Sequence, residues 1–583
     1  MNPLFKLHHT AALALLCLCT VLHAQTPTPP TISGTAAVWY EGYGLMLKPG
    51  EPTTPFYNQR RPWNLVRFSL NPTVNLGKWS IPFNFNFSPM QNNFTVPSAG
   101  GLGGRQSFWQ FLTNPMNSFG ISPKKGSTQL LLGTQYIKYS DLSTGDLGIF
   151  GAGINLSPGR YRIKVFSGVS QRAVNFLGSP PPPGVVGAYQ RNHTMAQLGL
   201  EKEGKYFVGF NLVHSKDNLN SVTVPPATIK PNENMVVSFV AKAATDKGWN
   251  YFAELGQSFH TRDQTALPWT TTSKNFSPFV KENSSTQRDN AILAGVSKKG
   301  KDWEVGTKFS YYGPGYYAAG YPFLQADRLE YLVNTKFNAF KKKTNVVASI
   351  GQRFGNWNYT SGPSRTSQII ANVNAFTQFN DRFSVNVGFN NFGFNSPSIS
   401  GYKSVSNELS VNPTYTWSNT SMSHLISGTY TWSKFDETIV GSPTTSNNTQ
   451  TALLMYVPVF FNKNISPDFS LMWFKNSSTL FDFTLFNVSA GLGWKLKKTF
   501  SLKSQLQYSS TVISLTPPKP SQSILASAGF DWGMTKKLGW QFTLTGNLYR
   551  FGDEKPGSTL TPAYAGYPSY LESTLRTGLK YKL

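Results

Sequence analysis

Beyond Ala24 the chain contains no cysteine: Cys17 and Cys19 both lie in the opening segment. The rest can therefore form no disulfide, no thiolate metal site and no cysteine nucleophile. Acidic residues are scarce, with 27 Asp and Glu against 53 Lys and Arg and a formal net charge of +26. Aliphatic core material is thin as well. Apolar residues make up 39% of the chain, yet Phe, Tyr and Trp alone account for 14%. A soluble protein of 583 residues would carry more aliphatic core. The aromatics need another home, and the lipid-facing wall and aromatic girdles of a membrane β-barrel supply one.

The opening segment has a positive Lys6, an apolar run from Ala11 to Leu22 and a small Ala24 before Gln25. This is the layout of a secretory signal peptide cleaved after Ala24. Its apolar run is too short to cross a bilayer as a helix. Leu16 and Leu18 precede the two cysteines, which excludes lipid attachment there. Export makes nucleic acid a poor partner for the positive charge. The basic residues are spread along the chain and no nucleic-acid motif accompanies them. Anionic lipid and anionic solute remain as partners.

From Asn64 onward one theme repeats: about ten to fourteen residues of alternating apolar and polar character, then a turn. In Ile81 to Ser88, Ile81, Phe83, Phe85 and Phe87 share one face and Asn84, Asn86 and Ser88 the other. Phe383, Val385, Val387 and Phe389 oppose Arg382, Ser384, Asn386 and Asn390, and Trp540, Phe542, Leu544 and Leu548 oppose Gln541, Thr543, Thr545 and Asn547. Such runs are about twice the length of sandwich strands and long enough to cross a bilayer at a tilt. The expected fold class is all-β: a single large transmembrane antiparallel β-barrel of about 24 strands, within about 22 to 26.

The links support this by parity. Every second one is tight, as at Glu203-Gly204, Asp246-Lys247, Lys341-Lys342 and Lys536-Lys537, while the intervening ones are longer and rich in Pro, Gly, Ser and Thr. Short periplasmic turns and long extracellular loops are the habit of outer-membrane barrels. The last strand has an apolar face of Leu575, Leu579, Tyr581 and Leu583, the type of terminal signal that barrel-assembly machinery reads.

The expected division is a signal peptide over 1–24, a periplasmic or lumenal segment over 25–62 holding one candidate strand (Ile32 to Leu45), and the barrel over 63–583. Residues 89–128 break the pattern, because parity puts this long link at the end where turns should be short. Its glycine cluster Gly100-Gly101-Leu102-Gly103-Gly104 and aromatic stretch point to a plug-like insertion, with Arg105, Phe108, Trp109, Phe111 and Phe119 as plug candidates. Alternation places Arg160, Arg162, Lys164, Lys308, Arg328, Lys336, Lys503, Arg576 and Lys580 on the inner face as lumen-facing basic candidates. Lysines crowding the tight turns, such as Lys298, Lys299, Lys341, Lys342, Lys536 and Lys537, suit anionic phospholipid heads or plain solvation.

Catalytic and metal motifs are missing. His193, His214, His260 and His424 fall in different strands at no ligand spacing. The glycine cluster lacks the Gly-Lys-Ser/Thr that a phosphate loop needs, and no GxSxG elbow occurs. No enzyme activity, metal or cofactor is expected.

Phe119-Gly120-Ile121-Ser122-Pro123, then Leu130 to Tyr139, then Gly151 to Tyr161, with Asn71-Pro72-Thr73 and Ile81-Pro82-Phe83 upstream, resemble a family of poorly characterised outer-membrane β-barrel proteins from Bacteroidota. The resemblance covers about the first third of the chain. It implies the outer membrane of a Gram-negative bacterium and the barrel fold, with no activity attached. Three readings follow. The first is a wide, basic, obstructed or gated pore for hydrophilic or anionic cargo. The second is a structural or accessory barrel subunit of a larger secretion or motility assembly, with other outer-membrane proteins as partners. The third is a display barrel whose loops bind a surface ligand. A TonB-dependent transporter is disfavoured, because too few residues precede the first strand to make a folded plug.

Overall fold

The computed structural model describes residues 29–47, 64–88, 111–112, 117–145, 147–176, 187–226, 228–268, 280–321, 324–358, 365–396, 402–439, 441–461, 463–479, 482–513, 520–550 and 570–583. The signal segment and the candidates Arg105, Phe108 and Trp109 lie outside the described residues.

The alternating runs become strands, each antiparallel to its neighbours. The chain begins with β1 (Thr31–Leu47), β2 (Asn64–Leu76), β3 (Trp79–Phe87), β4 (Ser118–Ile121), β5 (Lys124–Lys125), β6 (Thr128–Ile137), β7 (Leu147–Leu156), β8 (Tyr161–Gln171) and β9 (Gln190–Lys202). It continues through β10 (Tyr206–Asn218), β11 (Glu233–Ala244), β12 (Trp249–Thr261), β13 (Thr286–Lys299), β14 (Trp303–Tyr312), β15 (Arg328–Ala339), β16 (Thr344–Gly355), β17 (Thr366–Gln378) and β18 (Phe383–Ser396), and ends at β27 (Tyr570–Lys582). β27 pairs back onto β1, from Thr35 opposite Lys582 to Leu47 opposite Tyr570, so the sheet closes. Closure removes the edges that a large open sheet would expose.

β4 and β5 hold one register against β3, with Phe83 opposite Ile121 and Trp79 opposite Lys125. They are two parts of one stave interrupted at Pro123, which has no N–H to give to the ladder. Ser122 N still donates to Pro82 O at 3.0 Å and Leu130 N to Pro123 O at 2.8 Å. The barrel therefore has 26 strands, against the 24 expected. Both additional strands lie in segments expected outside the wall. Thr31–Leu47 is barrel wall and not a periplasmic or lumenal segment, so the barrel begins well before residue 63. Ser118–Lys125 is wall too, which removes the end of the expected 89–128 insertion.

These two strands also resolve the parity conflict. Gly126-Ser127 becomes a tight turn beside β6, and the long link before Ser118 joins the other long links at the opposite end. The barrel then has one end of short turns, where β1 begins and β27 ends, and one end of longer links. β10 has 13 residues; such a strand rises about 43 Å and, tilted by about 45°, covers about 30 Å of height. A ring of 26 strands about 4.8 Å apart, similarly tilted, encloses a lumen about 56 Å across between backbones if circular.

Directly opposed residues share a face of the sheet, so the register assigns every strand. Leu198, Phe210, Phe239, Leu255 and Ile292 follow one another across β9 to β13 on one face, all exposed. Gln197, Asn211, Ser238 and Gly256 follow one another on the other. The apolar face points outward, because the polar face is the concave one across which distant loops meet.

Candidate functional site

Two links from the long-loop end fold back over the polar face: β6–β7, described over residues 138–145, and β14–β15, described over 313–321 and 324–327. Although their strands stand far apart in the ring, the links touch. Thr144 and Gly320 form a parallel bridge, Gly145 N donates to Gly320 O at 2.8 Å, and Tyr316 Oη donates to Leu142 O at 2.9 Å. A chord of this kind is available only inside a closed barrel.

The wall beneath them is built to hold them. The buried Glu254 carboxylate of β12 accepts from Asp141 N and Leu142 N, both at 3.2 Å. Asn234 of β11 donates through Nδ2 to Tyr317 O at 2.9 Å and accepts through Oδ1 from Ala319 N at 2.8 Å. Ser258 Oγ donates to the same Tyr317 carbonyl, and Gln197 Nε2 donates to Tyr139 O at 3.2 Å. Loop backbone groups, which in a folded-in segment have lost water, thus find partners on the wall.

An apolar patch completes the contact. Leu142, Tyr316 and Ala318 of the loops pack with Val236, Ala291, Leu293 and Tyr312 of the wall. Gly256 provides the clearance: a Cβ there would stand 2.8 Å from Tyr316 Oη and 2.9 Å from Leu142 Cδ1. Burial pushes the Tyr316 phenol pKa well up, so its hydroxyl keeps its proton and remains a donor.

The register puts Arg162, Lys164, Lys308, Arg328, Lys336, Lys503, Arg576 and Lys580 on the same, polar face. Arg160 differs: it is exposed in the β7–β8 turn, outside any strand. Several of these cations are already engaged. Arg162 pairs with Glu201 at 2.7 Å, Lys503 with Asp531 at 2.5 Å, Arg328 lies over Tyr312 and Arg576 over Trp39. Lys308 and Lys336 form no ion pair among the described residues.

The described plug candidates are not in the lumen. Phe119 is a wall residue of β4 on the apolar face, its ring 5.4 Å from Phe87, and Phe111 packs 5.6 Å from Phe119 on that side. With Phe68 and Phe85 they form an outward aromatic cluster. Their expected role as plug residues is corrected: six-membered apolar rings gain more on the outer face than in a watery lumen. Among the described residues, the lumen side is occupied by the pair of loops named above. The signal for them was present but weak. It consisted of the one acid of its strand, Glu254, between Ala253 and Leu255, and of the aromatic turn Tyr311-Tyr312-Gly313-Pro314-Gly315-Tyr316-Tyr317.

The histidines stand apart. His193 hydrogen-bonds Ser170 at 2.8 Å, His214 pairs with Glu233 at 2.9 Å, His260 stacks on Tyr317 and His424 on Trp417. Among the described residues no three metal-ligating side chains gather.

No protein-family model matches the sequence, and no curated protein matches it. Among solved structures, the P pilus usher (PapC) translocation pore is similar at 10% identity, covering 94% of this chain and 100% of that chain with a TM-score of 0.40. The copper transporter OprC gives 9% identity, 96% and 82% coverage and a TM-score of 0.41. A ferric enterobactin receptor (PfeA) from Pseudomonas aeruginosa gives 10% identity, 94% and 82% coverage and 0.39. Values this low assign no family and no cargo. The class that the fold itself defines is a large, closed, antiparallel β-barrel.

Proposed function

We propose that this protein is an outer-membrane pore for hydrophilic, preferentially anionic cargo, narrowed on one side by the two in-folded loops, and not an enzyme. The observation that carries the reading is the docking of residues 138–145 and 313–321 on the inner wall through Glu254, Asn234 and Ser258. Exposed apolar side chains on the outer face are costly in water and satisfied in lipid. The short-turn end, where β1 begins and β27 ends, is the periplasmic one, and the longer loops are extracellular. Uncompensated lysines on the polar face favour anions.

Two loops of this length cannot fill a lumen of this width, and a hole that wide would breach the permeability barrier, so the pore is read as obstructed or gated and not as freely open. The test is single-channel conductance of the purified barrel in a planar bilayer, wild type beside Gly256→Leu, which denies Tyr316 and Leu142 their seat. Anion-selective current that rises or becomes noisier in the variant supports the reading. Silence in both proteins, with the fold intact by heat-modifiable migration on gels, removes the pore and leaves an accessory barrel.

A further inference from the structure

We propose that the inner wall of β12 to β18, toward the short-turn end, binds a hydroxyl-rich anionic solute, the chemistry of an acidic oligosaccharide; this rests on the pore reading and names its cargo class. The site is a cavity of about 620 Å³ on the polar face. Five asparagines contribute amides to its wall. Asn372 stands directly opposite Asn390 across β17 and β18, Asn374 is the next inward residue on β17, and Asn334 projects from the same face of β15.

The amides of Asn334, Asn372 and Asn374 make no hydrogen bond to protein among the described residues, and all three are exposed to the lumen. Each offers two donors and one acceptor, which is what a row of sugar hydroxyls needs and what a plain ion does not. Gly388, opposite Asn374, leaves the wall flat beside them.

Charge then selects the sign of the ligand. Lys308 and Lys336 line the same cavity. They are the unpaired cations noted above, whereas nearby Arg353 is held by Glu330. Glu304, opposite Lys336 in the register, is the one acid in the lining, so the balance is positive. Phe252 lines the edge with the Lys242 ammonium 5.5 Å above its ring. Amides, hydroxyls and two ammonium groups without an ion pair together match a polyhydroxylated carboxylate better than a neutral sugar or a bare inorganic anion.

The experiment is isothermal titration of the purified full-length barrel in detergent with trigalacturonate, and with maltotriose as the neutral match. Saturable binding of trigalacturonate is expected, weakened about tenfold or more, a difference of about 1.4 kcal/mol, both in Lys308→Gln with Lys336→Gln and in Asn334→Ala with Asn372→Ala and Asn374→Ala. Heat-modifiable migration checks that the variants fold. No saturable binding at millimolar trigalacturonate, equal binding of maltotriose, or indifference of both variants overturns the site. Planar-bilayer current separates this from the pore: binding without conductance keeps the site and removes the pore, while conductance without binding does the reverse.

Discussion

Replacing Tyr316 by Phe removes one oxygen and little else. The ring stays in its pocket with Leu142, Val236 and Leu293. What is lost is the 2.9 Å bond from Tyr316 Oη to Leu142 O. Tyr316 is 2% exposed and Leu142 0%, so water cannot take over the abandoned carbonyl. A buried acceptor left without its donor costs about 1 to 3 kcal/mol. At about 2 kcal/mol, and 1.36 kcal/mol per tenfold, the docked-to-undocked ratio of the loops falls about 30-fold. Hydrogen exchange reads this directly. Leu142 N is held by Glu254 and Gly145 N by Gly320 O, so both amides should lose protection by roughly that factor, while the strand ladders, which open only globally, keep theirs. Unchanged protection at Leu142 and Gly145 would refute the docking energetics. So would an equal loss throughout the barrel, because that would make Tyr316 a general stability residue and not a loop clasp. The same bond predicts a pH dependence. The docked phenol pKa is raised by burial above the ordinary value near 10. Stability from the neutral phenol is therefore fully present below about pH 10 and is lost as pH rises through the raised value. Tyr316→Phe should abolish that share of any alkaline loosening.

Other perturbations follow from the same contacts. Gly256→Val places methyl groups where Tyr316 Oη and Leu142 Cδ1 now stand; overpacking of about 1 to 3 kcal/mol should expose residues 138–145 to limited proteolysis in intact cells or micelles. Glu254→Ala leaves the amides of Asp141 and Leu142 without their acceptor, and proteolysis should again be faster at these residues than in wild type. At the closing seam, a Cβ on Gly578 would lie 2.2 Å from the Trp39 ring, so Gly578→Val should lower the temperature of heat-modifiable unfolding, whereas Trp39→Ala with Gly578→Val should regain part of it. Lys308→Gln with Lys336→Gln should reduce anion over cation preference in reversal-potential measurements at low salt, an effect that fades as salt screens the lumen.

The sequence alone determined the kind of structure. Two-residue periodicity in segments such as Ile81 to Ser88 and Phe383 to Asn390 leaves one face apolar and one polar, and the alternation of tight turns with long links orders those segments into hairpins. These are local properties, since the pleat period and turn chemistry act over a few residues. For the same reason the polar-face positions of Lys164, Lys308 and Lys503 could be read by counting. Two strands stand outside the expected wall for physical reasons as well. Thr31–Leu47, although it reads as a candidate strand over Ile32 to Leu45, carries glycine at 34, 42 and 44 and small residues where outward apolar side chains would have marked it as barrel wall, and Gly34 has a positive φ of 126°. Ser118–Lys125 is cut by Pro123. Only tertiary structure decided that β1 closes against β27, that Phe111 and Phe119 belong to the outer aromatic surface, and that Leu142 and Tyr316, 174 residues apart, meet inside. A loop that docks on a distant wall is fixed by cavity shape and by carbonyls and amides needing partners, and neither quantity exists until the ring has closed.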